Sequence, residues 1–253
     1  MVMTDKAERA ADFLIAARAE GAQFAAAFPA DLKPDTMDEV VAIQLATLAR
    51  IGPIGGWKVG APNPTGTPVV SPLPAAGIVD APAKVASRAR GVECEISFRF
   101  AKPLPPRAEP YAAADVLAAI GTCQAAVEIV SSRFTDHMVL DPLSVAADLG
   151  AHDGLVVGAP VEAWTQEMFA TLGVIMVVDG AEHKRAVGSN PGGTDLMRLL
   201  VGCANAEVVR AAGGIKAGQV VTTGSWTGID FLGPGGQVAA RFANFSEVHV
   251  TFA

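Results

Sequence analysis

The chain is poor in cysteine. Cys94, Cys123 and Cys203 are the three in 253 residues, an odd number with no Cys-x-x-Cys spacing. That excludes a disulfide framework and a thiolate zinc site, and suggests reduced, buried thiols in a cytoplasmic protein. Basic residues are also short, 19 Lys and Arg against 26 Asp and Glu, for a net charge of −7. Nucleic acid is therefore not an expected partner, because phosphate binding needs clustered Lys and Arg. No run of about 18 apolar residues occurs, so no membrane partner is expected either. The opening MVMTDKAERAADF lacks the apolar stretch and cleavage site of a secretion signal. Internal repeats and low-complexity segments are absent. Gly192-Gly193-Thr194 is followed by no lysine and reads as a turn and helix cap rather than a phosphate loop.

What is present is apolar. A composition of 51% hydrophobic and 18% charged residues supports a sizeable core and argues against disorder. The first fifty residues read as helical. Asp5 and Glu8 have capping-box spacing, and Ala10, Phe13, Leu14 and Ala17 recur on one face. Thr36 and Glu39 open a second helix with Val41, Leu45 and Leu48 as its stripe, closed by IGPIGG. Residues 52–82 are rich in Pro and Gly and read as loops between short strands. Beyond residue 90 the period changes to two. Val92, Cys94, Ile96, Phe98 and Phe100 alternate with Glu93, Glu95, Ser97 and Arg99, a strand with one wet face. Ala112 to Ile120 is expected to be a short helix, QAAVEIV a strand, and Asp179-Gly180 a hairpin turn. Thr194 can cap a helix through Leu199 and Leu200, and the C-terminus is strand-rich. The fold class is α+β, with a helical and loop region over residues 1–80 and a β-rich catalytic domain over residues 81–253.

The strongest chemical feature is Glu93-Cys94-Glu95. Residues two apart on a strand share a face and lie about 7 Å apart, so both carboxylates can converge on one hard divalent ion. Glu128, set in the apolar run AAVEIV, is a third candidate, because an uncompensated buried carboxylate is costly. Spacing alone also fits a solvated strand face, and Glu128 could pair with Arg133.

GWKVG (residues 56–60), VECEISFRF (92–100), AAVEIVSSRF (125–134), ADLGAHDGLVVG (147–158) and AGQVVTTGSWTG (217–228) occur in this order. Together they resemble the 2-keto-4-pentenoate hydratase family, which includes 4-oxalocrotonate decarboxylases and shares the fumarylacetoacetate hydrolase fold. The resemblance spans nearly the whole chain, including the TMDEVVAIQ segment. It implies a mixed β-sandwich roll with a small helical region packed on it. It assigns Glu93, Glu95 and Glu128 as ligands of Mg²⁺ or Mn²⁺. Lys58 matches the family's lysine near the substrate carboxylate, and Thr223-Gly224 matches its substrate-pocket motif. Relatives are homo-oligomers, and a homo-oligomer is expected here.

The implied reaction is hydration of a 2-hydroxy-2,4-dienoate to a 4-hydroxy-2-oxo acid in aromatic catabolism. Alternatives are decarboxylation of a 2-oxo-3-enedioate, carbon–carbon hydrolysis of an acylpyruvate, and a family member without catalysis. Where many hydratases have Asp-Asn-Ala-Ser, this chain has Asp148-Leu149-Gly150-Ala151, then His152. His152 either carries protons, as its ordinary pKa of about 6.5 would suit, or is a loop histidine bonded to backbone. His137, His183 and His249 are expected at the surface. No Glu-His pair of the kind found on hydrolase lids occurs. A basic group at the far end of the pocket would favour a diacid substrate, and an apolar wall a monoacid.

Overall fold

The computed structural model describes residues 4–19 and 21–253. Two helices come first, α1 (Asp5–Arg18) and α2 (Met37–Ile51), followed by strands β1 (Ile54–Gly60), β2 (Val69–Pro74), β3 (Ile78–Asp80), β4 (Ala83–Val85) and β5 (Gly91–Phe100). Next are α3 (Ala113–Leu117), β6 (Ile120–Val130), α4 (Pro142–Ala147), β7 (His152–Val157), β8 (Gly173–Val178) and β9 (Ala181–Val187). The chain closes with α5 (Leu196–Ala204), α6 (Glu207–Ala211), β10 (Val220–Ser225), β11 (Asp230–Phe231), β12 (Gln237–Phe242) and β13 (Val248–Phe252).

Each early helix starts where a side chain can take up free amides. Thr4, one residue before the expected cap, accepts from Ala7 N, and Thr36 accepts from Glu39 N, both at 3.2 Å. The Glu39 carboxylate accepts from Asp35 N at 2.7 Å and from Lys6 of α1, joining the two helices. Asp195 rather than Thr194 caps α5, accepting from Arg198 N. The Asp179-Gly180 turn forms as expected, with both residues at positive φ between β8 and β9.

The larger sheet runs β2-β1-β10-β5-β6-β7-β3, with β11 also on β5; the smaller runs β4-β13-β12-β8-β9. Residues 54–80 thus supply three strands of the larger sheet, and the helical part of the N-terminal region ends at Ile51. Strand parity divides the larger sheet. Val92, Cys94, Ile96 and Phe98 of β5, Cys123, Val127 and Ile129 of β6, Trp57 of β1 and Val221 of β10 share one face. With the smaller sheet and α5 they form the main core. The opposite face carries Lys58, Glu93, Glu95, Ser97, Gln124, Glu128 and Thr222 beside a small apolar cluster of Leu73, Ala126, Leu155, Val157 and Val220.

That second face is not wet. Glu95, Ser97 and Glu128 are all buried. The sheet curls round, because its end strands β2 and β3 are joined by Ala75, Ala76 and Gly77 alone. Alternation correctly marks the strand but cannot tell bulk water from a lined interior. A third cluster joins α1, α2 and α4 through Leu14, Ile43 and Ala147, with Phe28 and Phe134 between them. Among the described residues no helix is long and apolar enough to cross a membrane.

Candidate metal centre and adjoining cavity

Glu93 and Glu128 sit directly opposite in the β5–β6 ladder, and Glu95 is one pleat further along the same face. One carboxylate oxygen from each lies within 4.8 Å of the others. Like charges set opposite each other repel, and the acids respond to burial. Desolvation, then the Glu128 charge, pushes Glu93 up to about 7. The same two causes raise Glu95 well above the carboxylate range. Burial would raise Glu128 too, but the Lys58 charge and the hydrogen bond from His152 outweigh it and hold this carboxyl at about 2.

Lys58 comes from β1, two strands away. Its Nζ donates to Glu128 Oε1 at 2.6 Å and to the Gly150 carbonyl at 3.0 Å. Burial opposes its charge, but Glu128, Glu93 and Glu95 together raise its pKa, so without a metal ion the group is an ammonium.

His152 starts β7. Its Nδ1 lies 2.9 Å from Glu128 Oε1, and since a carboxylate can only accept, the ring proton sits on Nδ1. Burial lowers the His152 pKa against the pull of Glu128, so the ring is neutral at pH 7. The ring is sealed from solvent. His152 therefore orients a carboxylate here, a contact with Glu128 that the sequence did not single out.

Arg133 does not pair with Glu128. Its Nε donates to Asp148 Oδ1 at 2.5 Å, its Nη2 to the Asp148 carbonyl and its Nη1 to the His152 carbonyl. Ser132 and the Arg133 amide hold the other Asp148 oxygen. This buried knot shapes the loop before β7, where Leu149, Gly150 and Ala151 all have positive φ. The loop presents the Gly150 carbonyl to Lys58.

Of the two C-terminal threonines, the sequence pointed to Thr223 as a substrate contact. The structure turns its hydroxyl into the sheet, donating to the Ile96 carbonyl at 2.8 Å. Thr222 occupies the inward position and donates to Glu95 Oε2, which also accepts from Gly224 N at 3.0 Å. The register shift between Thr222 and Ser225 lets a side chain and a later amide reach one carboxylate. Gly224 thus touches the site through its backbone.

The residues fit a divalent cation. Glu128 Oε2 is buried and, among the described residues, has no hydrogen-bond donor. If all three carboxylates gave up their protons they would leave a formal −2 against the one ammonium of Lys58, a charge that a divalent ion would cancel.

Above Lys58 lies a cavity of about 460 Å³. Its floor is Lys58, Gly150 and Ser71, and its walls include Val69, Met138, Leu140 and Val145. His137 belongs to this wall and is partly buried, not a surface residue. His183 and His249 do lie at the surface, 3.3 Å from Asp230 and 3.5 Å from Glu247. Neither the wall segment 137–146 nor Thr222 was singled out by sequence. The wall has no periodic pattern, and Thr222 differs from Thr223 only by strand parity.

No family model matches the chain, and no curated protein matches it. Solved structures do. One is 4-oxalocrotonate decarboxylase from Pseudomonas putida G7 complexed with calcium and acetate, at TM-score 0.81 and 22% identity, covering 100% of this chain and 99% of that one. The same enzyme complexed with magnesium and adipate gives the same values. A Yersinia pestis CO92 protein assigned to the fumarylacetoacetate hydrolase family gives TM-score 0.57 at 14% identity, over 79% of this chain and 93% of that one. The chain therefore has the fumarylacetoacetate hydrolase fold, in the form shared over its full length with 4-oxalocrotonate decarboxylase.

Proposed function

We propose that the chain is a metal-dependent lyase of the fumarylacetoacetate hydrolase superfamily, acting on a small 2-oxo acid in the 2-keto-4-pentenoate hydratase manner. The reaction is hydration of a 2-hydroxy-2,4-dienoate to a 4-hydroxy-2-oxo acid. The observation that carries this reading is the Glu93–Glu95–Glu128 cluster set beside Lys58 beneath an apolar-walled cavity.

Glu93, Glu95 and Glu128 would hold Mg²⁺ or Mn²⁺. When bound, that ion supplies a Lewis acid for the 2-oxo and carboxylate oxygens of the substrate. The protein's own groups divide the remaining work. Lys58, fixed between Glu128 and the Gly150 carbonyl, offers a positive charge to the substrate carboxylate and a proton at Nζ. His152 and Thr222 hold Glu128 and Glu95 in place. The cavity walls exclude water from the tail of the substrate. Val69, Met138, Leu140 and Val145 suit an apolar tail, and apart from Lys58 the one titratable group lining the cavity is His137. That favours a monoacid.

Decarboxylation of a 2-oxo-3-enedioate is the second reading. It is supported by the full-length likeness to 4-oxalocrotonate decarboxylase, seen with the diacid adipate. His137 is the group that would meet a second carboxylate, though burial lowers its pKa and works against the charged form. The two are separated by turnover of 2-hydroxypenta-2,4-dienoate and of 2-oxo-3-hexenedioate with Mg²⁺ or Mn²⁺, with and without EDTA. Consumption of the first without CO₂ is the expected result. CO₂ from the second moves the assignment to decarboxylase, and inertness towards both removes the substrate class.

A further inference from the structure

Four arginines surround a second cavity, of about 620 Å³, which shares no lining residue with the one over Lys58. Arg18 comes from the last turn of α1, Arg88 and Arg90 from the segment before β5, and Arg133 from the segment after β6. In a chain of net charge −7 this concentration of one sign is local, not compositional. Asp153 is the acidic side chain in the same wall, 3.7 Å from Arg133 Nη1.

The guanidinium groups are unequally used. Arg133 is committed to Asp148 and the His152 carbonyl. Arg88 donates to the Ala22 and Ala17 carbonyls, both at 2.7 Å, and lies over the Phe24 ring. Arg90 gives only its Nε, to the Leu232 carbonyl at 3.0 Å. Arg18 Nε and Nη2 are shut off from solvent and, among the described residues, have no hydrogen-bond partner. Buried charged donors rarely go unmatched, because water has been removed and nothing replaces it. Arg90 also sits at φ 54, a left-handed backbone that a non-glycine residue adopts only when its surroundings impose it. Burial, and next the charge of Arg133, lowers the Arg18 pKa to about 10 against the pull of Asp148 and Asp153.

We propose that this cavity is a binding site for a small multivalent oxyanion, a phosphate or a polycarboxylate, held by Arg18 and Arg90 with Arg88 and Arg133 at its sides. Guanidinium forks match the paired oxygens of such anions, and the cavity admits either. The site is separate from the carboxylate centre. It adjoins that centre through Arg133, which grips the His152 carbonyl and Asp148, and through Asp153, the residue after His152.

Calorimetric titration of the metal-free protein at low ionic strength tests this, with inorganic phosphate and citrate as separate probes. Wild type and Lys58→Met are expected to bind at least one of them saturably, one per chain. Arg18→Gln and Arg90→Gln should each bind about 10-fold or more weakly, the scale of one lost charged hydrogen bond. The stronger of the two probes identifies the anion class. Circular dichroism melts check folding; Arg90, being partly exposed, provides the readout if Arg18→Gln does not fold. No saturable binding of either anion by wild type overturns the proposal. So does binding lost in Lys58→Met and kept in Arg90→Gln, which would place the anion beside the carboxylates.

Discussion

The two faces of the β5–β6 pair are built from alternate residues of the same strands and are held by opposite means. On one face Phe98 stacks edge-on against Trp164 and Phe169, with ring centroids 5.0 and 5.9 Å away, and Ile96, Cys94 and Val127 pack around them. On the other, Glu93, Glu95 and Glu128 crowd together and are opposed by one ammonium. The first face stabilises the fold by removing apolar surface from water. The second works against it and depends on a counter-charge. Stability and chemistry are thus separated by one residue of register, and each can be changed without the other.

The largest effect is expected on the apolar face. Phe98→Ala should cost about 3–5 kcal/mol of unfolding free energy, read by urea denaturation. Affinity for Mn²⁺ should stay within a few-fold in whatever remains folded. A matching loss of metal binding would show that the faces are coupled.

Next is Glu95→Gln. Removing one ligand should weaken Mn²⁺ binding by more than the roughly 10–100-fold that changes behind the ligands produce, measured calorimetrically. The metal-free variant should nevertheless melt no lower than wild type above pH 7, because a destabilised charge is gone. A lower melt would mean that the Thr222 and Gly224 hydrogen bonds to the carboxylate matter more than its repulsion.

A smaller effect comes from pH. Glu93 in the folded protein titrates near 7, above its ordinary value of 4.5. The folded state therefore holds the proton more tightly, and metal-free stability should fall as pH rises through that window. Saturating Mg²⁺ should reverse the trend, since the ion needs the carboxylate form. Thermal melts between pH 5 and 8, with and without EDTA, give both slopes. A flat metal-free profile would remove the strained-acid account of this face.

The smallest change is expected from Met138→Ala in the cavity wall. It should raise KM for an apolar-tailed substrate by no more than about 10-fold, the value of a small apolar contact, with kcat unchanged. A larger loss, in kcat, would give this residue a part in the chemistry.

The sequence makes the strands legible because alternation survives burial on both faces. Glu93, Glu95 and Glu128 stand out because acids are rare in such runs. It misleads where alternation is silent: the acidic face reads as solvated, although the curl of the sheet encloses it. The same silence hides the choice between Thr222 and Thr223, which are chemically identical and point to opposite faces. Arg133 reads as a partner for Glu128 because they are five residues apart, yet the loop returns Asp148 to it first. The arginine cavity has no linear signature. Its four members span residues 18 to 133 and meet where Arg88 ties the end of α1 to the segment before β5.

The turn at residues 149–151 shows what a site can ask of its backbone. Left-handed backbone suits Gly and Asn and penalises Leu and Ala, so Gly150 is at ease there. Leu149 and Ala151 are not, yet both are buried and hold the conformation. The turn, fixed by Asp148 and Arg133 and needed to bring a carbonyl to Lys58, is thus held against the backbone preference of two of its three residues.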